Sequence, residues 1–402
     1  MRVRSTRRAR SFSNMKVWHD DEEFELLPTG NVQKPEGNES TSLLELKGAD
    51  GEYIYIRIPT YSADINLAWQ YNYILDVCKS NDWQDGDFSR IKYKTSENSS
   101  QKAVGYIFPL PTLSIGKTIT QTEKEVISGY ALGAIFNLTR GTIGQKQGIT
   151  VSWGETYDLE EFYEDEIIVV IYGSDRLSED SEEAKSLVSE FKISLAEAKI
   201  FPHDIGTLKP RKNTDSFVKE QDIYVSGVPQ ELRDNCFQFL VSHVLPADAT
   251  DCDPIVRFFL QYQFFEILMH HVFTGVVQDF LKVVNTPVFA SDAWKTKDLV
   301  GDLGRKSAES YRIKRIFDFL SASHRDLVAD VERACEAVLA KAGKKDSEKT
   351  GYYLIRNLIF HGFGNGTIDR ADIESVCDPV ERIIHKLALN FKHSGDYFSP
   401  PA

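Results

Sequence analysis

Long uncharged hydrophobic runs are missing from this chain of 402 residues. Its most apolar stretch, IVRFFLQYQFFEILMHHVFTGVVQDFLKVV (255–284), is interrupted by Arg257, Glu266, His270, His271, Asp279 and Lys282. Charges at that density are costly in lipid, so the stretch reads as a buried helix of a soluble bundle and no membrane is expected. Cysteine is scarce, with five residues (78, 236, 252, 335, 377) and no CxxC pair. An odd count without close spacing argues against a disulfide framework and for reduced thiols in a cytoplasmic protein. Positive charge is in deficit: 47 Lys and Arg stand against 60 Asp and Glu, a net of −13. That disfavours a nonspecific nucleic-acid coat protein but leaves room for a local basic site. Internal repeats and low-complexity tracts are absent.

Metal and nucleotide signatures are also lacking. His270 and His271 are adjacent, so on a helix they point about 100° apart, whereas a helical zinc pair stands four residues apart. PTLSIGKT (111–118) ends like a phosphate-binding loop but has Pro111 where the first glycine belongs. GFGNG (362–366) follows a helix rather than a strand, which excludes a dinucleotide fingerprint. No metal and no cofactor is expected.

What is present divides into two halves. Hydrophobic residues at 42% and charged residues at 27% are ordinary for a globular protein, and the length suffices for two domains. The first fourteen residues hold five arginines and no acid. They read as a disordered basic extension (1–14) ahead of a natural start at Met15, or as an RNA-binding arm. Residues 15–205 read as a mixed α/β domain. LLELKGADGEYIYIRIP (43–59) has the alternation and turn of a hairpin. AVGYIFPLP (103–111), GITVSWG (148–154) and EIIVVIYG (166–173) read as strands. INLAWQYNYILDVCKS (65–80), TEKEVISGYALGAIFNLTR (122–140, with a capping box at Thr122 and Glu125) and SEEAKSLVSEFKISLAEAK (181–199) read as helices. A polar linker is placed at 206–228. Beyond it, 229–396 reads as all-helical, with helices at 229–244, 254–284, 305–322, 325–342, 346–361 and 370–392. The expected fold class is α+β with two domains, a mixed α/β half followed by a helical bundle.

Charge is unevenly spread. Residues 155–190 contain thirteen acids and two bases, either a solvated face or an acidic element that covers a basic site. Residues 303–349 contain eleven bases and eight acids. Arg312, Lys314, Arg315, Lys344 and Lys345 form their dense parts and are candidate RNA-phosphate contacts.

Next to that basic stretch lies GYYLIRNLIFHGFGNG (351–366). On a helix, Asn357 and His361 share a face, and Arg356 lies about 140° from His361. Gly362 is a helix terminator, which sets His361 in the last turn, where the dipole favours imidazolium. A histidine titrating near neutrality exchanges protons, and an arginine offers a planar charged fork to a phosphate. Such a trio is able to cleave RNA by attack of a ribose 2′-hydroxyl on phosphorus. Residue chemistry alone leaves the ordinary alternative of a structural histidine and a surface arginine. Glu266, among aromatics, either faces solvent or pairs with Arg356. Tyr352 and Tyr353 either pack in the core or offer one ring to a base.

The run Arg356, Asn357, Leu358, Ile359, Phe360, His361, with the following glycine and the helical context of residues 230–395, resembles the HEPN ribonuclease motif, in its Apea-like and abortive-infection form. QYQFFEILM (261–269) resembles the first long helix of such domains. The resemblance implies a metal-independent endoribonuclease acting on RNA, tRNA included. It implies a homodimer whose two motifs face one cleft, and a role in antiphage defence or as a toxin. By analogy alone, the first half would sense a phage or cellular trigger. A rival reading is a non-catalytic helical scaffold that binds RNA or protein. A third is an oligomerising regulator of another protein.

Overall fold

Asp20 and Asp21 take φ of 47° and 67° in the two-residue turn that joins the first two strands. Paired positive φ is what a tight hairpin with the right-handed strand twist demands, and aspartate tolerates it better than most residues. The computed structural model describes residues 15–33, 41–59, 73–79, 83, 87–94, 101–113, 135, 138, 145–164, 167–173, 177, 181–201, 222–233, 235–290, 292–344, 350–362, 368–391 and 397–398. These fall into two units, Met1–Ser189 with Ile200–Val225, and Glu190–Lys199 with Ser226–Ala402.

The first unit contains two sheets. One runs in the order β1 (Met15–His19), β2 (Glu22–Gln33), β3 (Thr41–Lys47), β4 (Tyr53–Pro59) and β8 (Thr156–Asp158). The expected hairpin at 43–59 is β3–β4, with Gly51 at φ 91° in its turn. Between Pro28 and Val32 the register of β2 against β3 shifts. The extra residues there surround buried Glu45: Oε1 accepts from Thr29 Oγ1 at 2.8 Å and from Asn31 Nδ2 at 2.9 Å.

The other sheet is ordered β10 (Asp222–Val225), β6 (Ser89–Lys94), β7 (Gln101–Pro109), β9 (Ile167–Gly173) and β5 (Tyr73–Lys79). β7 has a glycine for a steric reason: a Cβ on Gly105 would stand 2.2 Å from the Ile171 carbonyl oxygen. Leu44, Leu46, Ile54 and Ile56 of the first sheet share one apolar core with Phe108, Val169 and Ile171 of the second.

Three readings change here. Tyr73–Lys79, expected within a helix over 65–80, is a strand antiparallel to β9. β9 is buried between two neighbours, and the backbone groups on that side need a partner, which outweighs helical spacing. The remainder, 65–72, lies outside the described residues. GITVSWG is not a strand: Thr150 makes one isolated bridge to Trp18, with Val151 N donating to Trp18 O at 2.8 Å. Asp222–Val225, inside the stretch read as linker, is a strand parallel to β6. Of the helix expected at 122–140, Ile135 and Leu138 are described, both helical and buried; Thr122 and Glu125 lie outside the described residues.

The second unit is helical. Helix α1 (Ser181–Glu197) contributes its C-terminal part. The chain then runs through α2 (Asn235–Phe239), a π turn (Leu240–Val244) and α3 (Leu245–Ala249). Leu245 N donates to Leu240 O, and Pro246 follows with no N–H to give. The long α4 (Pro254–Val284) starts from Asp253, whose side chain accepts from Ile255 N at 2.9 Å, with Pro254 at the first helical position. By length and composition α4 would suffice to cross a membrane. In the bundle it packs against α6 (Glu309–Ser321) and α9 (Arg370–Asn390), with Arg257, Gln261 and Asp279 buried. α5 (Ala293–Lys306), α7 (Arg325–Lys341) and α8 (Gly351–Gly362) complete the set.

Candidate functional site

α8 is anchored at its first residue. A Cβ on Gly351 would stand 2.7 Å from Cys335 Cβ of α7, so the helix starts where only glycine fits without displacement. Next comes Tyr352, 1% exposed, whose ring lies 5.1 Å from Phe265, 5.2 Å from Phe258 and 5.7 Å from Tyr262, centroid to centroid. Tyr352 is therefore core. Ile355, Leu358 and Ile359 are buried at helical spacing, and this fixes which residues of α8 turn outward.

Arg356 and Asn357 are half-buried at the edge of that packed face. Arg356 Nη1 donates to Asn357 Oδ1 at 3.0 Å. The guanidinium carbon lies 4.5 Å from the Phe360 ring centroid and 5.6 Å from that of Tyr262. Its Nε is enclosed with no hydrogen-bond partner, and among the described residues no carboxylate pairs with it. Cation–π contact holds the side chain without neutralising it. His361 falls four positions after Asn357 in the same helix, and α8 ends at Gly362. The His361 side chain, the residues 363–367 and Lys345 lie outside the described residues.

Tyr262 forms the floor. It is 2% exposed, and its hydroxyl donates to Glu309 Oε1 of α6 at 2.6 Å. Burial first, then that hydrogen bond, pushes the phenol well above its ordinary range. Tyr262 thus stays neutral and cannot neutralise the guanidinium above it. Neither Tyr262 nor Glu309 was singled out from sequence. The available signal was spacing: Phe360 stands four after Arg356, a pair that meets on a helix.

Glu266 is exposed and forms no ion pair with Arg356. The buried face of α4 runs through Tyr262, Phe265 and Met269, and Glu266 is one step round from Phe265, towards solvent. The candidate phosphate contacts do not converge either. Arg312 lies over the Phe273 ring at 5.6 Å and stands one turn from Glu309 along α6. Arg315 lies over the Tyr397 ring at 5.5 Å, and Lys314 and Lys344 are exposed. Among the described residues no hydrogen bond joins any of these four to Arg356. His270 is exposed and His271 partly so, with ring centroids 6.5 Å apart. Among the described residues no three His, Cys, Asp or Glu side chains are placed to share a metal ion.

A second polar cluster sits deeper, and sequence reading missed it. Arg257, 2% exposed, donates from Nε to Asp248 Oδ1 at 2.7 Å, from Nη1 to Asp378 Oδ1 at 2.6 Å and from Nη2 to Glu381 Oε2 at 2.6 Å. Lys199 Nζ donates to Glu381 Oε1 at 2.7 Å, and Gln261 Nε2 to Asp248 Oδ1 at 2.9 Å. Burial pushes Asp248 up to about 6, against the pull of Arg257. Burial pushes His385 down to about 4, against the pull of Glu381. Burial would raise Glu381 too, but Lys199, His385 and Arg257 together hold it down at about 2. The cluster ties α9 to α4, which carries the Tyr262 floor beneath Arg356.

The acidic run at 155–190 is partly consumed in structure. Asp158 pairs with Arg57 at 2.9 Å, and Glu190 Oε2 accepts from Val228 N at 2.8 Å. None of the five cysteines is in a disulfide, and four of them are buried. No family model, no curated protein and no solved structure matches the chain.

Proposed function

We propose that the chain is a metal-independent endoribonuclease of the HEPN kind, built on its helical unit. The observation that supports this reading is the Arg356 guanidinium: half-buried, tied to Asn357, and without an acid partner among the described residues. A cation kept unpaired at such a place is suited to an anionic ligand, and a phosphodiester is the anion that the motif's chemistry requires.

In this mechanism Arg356 binds a non-bridging phosphate oxygen and offsets the charge that grows there. Asn357 keeps the guanidinium in place. A ribose 2′-hydroxyl attacks the adjacent phosphorus, the bond to the 5′-oxygen breaks, and the products end in a 2′,3′-cyclic phosphate and a 5′-hydroxyl. His361 moves the proton, either off the 2′-hydroxyl or onto the departing 5′-oxygen. A second copy of the chain, bringing its own Arg356 and His361, would complete a two-fold cleft. tRNA is the first substrate to try. Action in the cytoplasm in antiphage defence, with the first unit sensing the trigger, belongs to the same proposal.

The test is incubation of tRNA and total RNA with the full chain and with His361→Ala, in the presence of a chelator. Cleavage by the wild type alone, leaving cyclic phosphate ends, is expected. RNA that is bound tightly but stays intact, with His361→Ala indistinguishable, would point instead to the non-catalytic scaffold.

A further inference from the structure

Phe360 is out of place as an ordinary surface residue. Its helical neighbours Leu358 and Ile359 are about 5% exposed, while Phe360 is 52% exposed. The ring is nonetheless fixed in orientation. Phe259 of α4 meets it edge-to-face at 4.9 Å, and the Arg356 guanidinium lies against it at 4.5 Å. A fixed, open aromatic ring therefore stands beside a cation that has no acid partner among the described residues. A phosphate alone would need only the cation, and an apolar protein contact would gain nothing from an unpaired one. A nucleotide unit uses both, through its phosphate and the face of its base.

We propose that Phe360 is a base-stacking platform, and that the group recognised here is an unpaired nucleobase next to the phosphate held by Arg356. This rests on the ribonuclease reading and narrows its substrate class to single-stranded RNA. In a duplex the base faces are covered by their neighbours, whereas bases of loops and ends are free to stack on aromatic side chains. Every base has a π face, so Phe360 selects for strandedness and tolerates any base.

The experiment uses a single-stranded RNA carrying 2-aminopurine and 2′-O-methyl groups, which block the attacking hydroxyl. The full chain, Phe360→Leu and Phe360→Tyr are titrated against it, and cleavage of unmodified RNA and the oligomeric mass are measured in parallel. The expected result is quenching of 2-aminopurine by the wild type and by Phe360→Tyr. Phe360→Leu keeps the apolar bulk, loses the quenching and binds about tenfold more weakly. A duplex of the same length does not compete. Equal affinity and quenching with Phe360→Leu, in a wild type that cleaves RNA, would overturn the stacking role and leave the nuclease reading standing. A wild type that neither binds nor cleaves RNA would remove both. Unchanged RNA affinity with an altered oligomeric mass in Phe360→Leu would assign the ring to a contact between copies and overturn the stacking role.

Discussion

Arg356 and Asn357 are consecutive residues whose side chains nevertheless bond to each other, Nη1 to Oδ1 at 3.0 Å. Neighbours on a helix leave the axis about 100° apart, so only a long side chain bends back to its successor. The bond turns the guanidinium across the outward edge of α8, over Tyr262 and Phe360. Asn357→Ala should leave the fold intact and lower the RNA cleavage rate by about ten- to a hundredfold, the worth of one hydrogen bond to a charged group. Asn357→Asp should hold the arginine more firmly, cancel its charge, and lower the rate at least as much. Rates measured beside helical circular dichroism check both. Full activity in Asn357→Ala would remove Asn357 from the site.

Gly351→Ala should destabilise the helical unit although alanine is the better helix former. The new methyl would meet Cys335 at 2.7 Å, and both backbones belong to packed helices. Such overpacking costs about 1–3 kcal/mol. Chemical unfolding of the variant measures it. Gly351→Ala with Cys335→Ala should recover little of the loss, because alanine keeps the Cβ that the new methyl meets.

Arg257→Ala should be far more damaging than Asp378→Ala. The first leaves Asp248 buried without a cation and Glu381 with Lys199 alone, a situation that costs about 3–5 kcal/mol. Asp378 is 37% exposed, so water takes its place at Arg257 Nη1 and the loss should stay below about 1 kcal/mol. Thermal unfolding of the two variants separates the cases; equal losses would contradict the burial of the cluster.

Acidification should expose an opposition inside that cluster. Asp248 is raised to about 6, so the folded chain takes up a proton there before the unfolded chain does; its stabilising contribution is present at low pH and is lost as pH rises through about 6. His385 is lowered to about 4, so the unfolded chain protonates first; its contribution is present above 6.5 and is lost as pH falls towards about 4. Between those limits each state holds one proton on this pair, so the two contributions nearly cancel in the wild type. Asp248→Asn should lose about 2–3 kcal/mol between pH 6.5 and pH 4, and His385→Leu should gain a similar amount from pH 6 to pH 4. Glu381 and Arg257 act on both groups in each variant, and Lys199 and Lys386 act on His385. Parallel slopes in the two variants would contradict the arrangement.

How legible the site and fold are depends on where the deciding contact lies. The helices Pro254–Val284, Arg325–Lys341 and Arg370–Asn390 follow from local apolar spacing and caps, close to their expected bounds. β5 does not, since what makes Tyr73–Lys79 a strand is the unsatisfied side of β9, nearly a hundred residues later. α5 escaped notice because Gly301 and Gly304 dilute its pattern and little of it is buried. At the site, Arg356 and Asn357 were legible from their neighbours in sequence. Their surroundings were not: Tyr262 and Glu309 arrive from two other helices, and Glu266 is exposed without an ion pair to Arg356, which neighbouring aromatics could not reveal.

Glu45 gives the first unit a proofreading device. Its Oε1 is satisfied when the irregularity at 29–31 places the Thr29 hydroxyl and the Asn31 amide over it, while Gln33 Nε2 donates to Oε2 at 3.5 Å. If β2 slid by one residue against β3, its side chains would swap faces and the buried acid would lose the donors of Thr29, Asn31 and Gln33. Regular strands of leucine and isoleucine tolerate such errors, because one apolar contact is much like another. A single demanding carboxylate makes the wrong alignments expensive, and so selects the one in which the β2–β3 pair closes correctly.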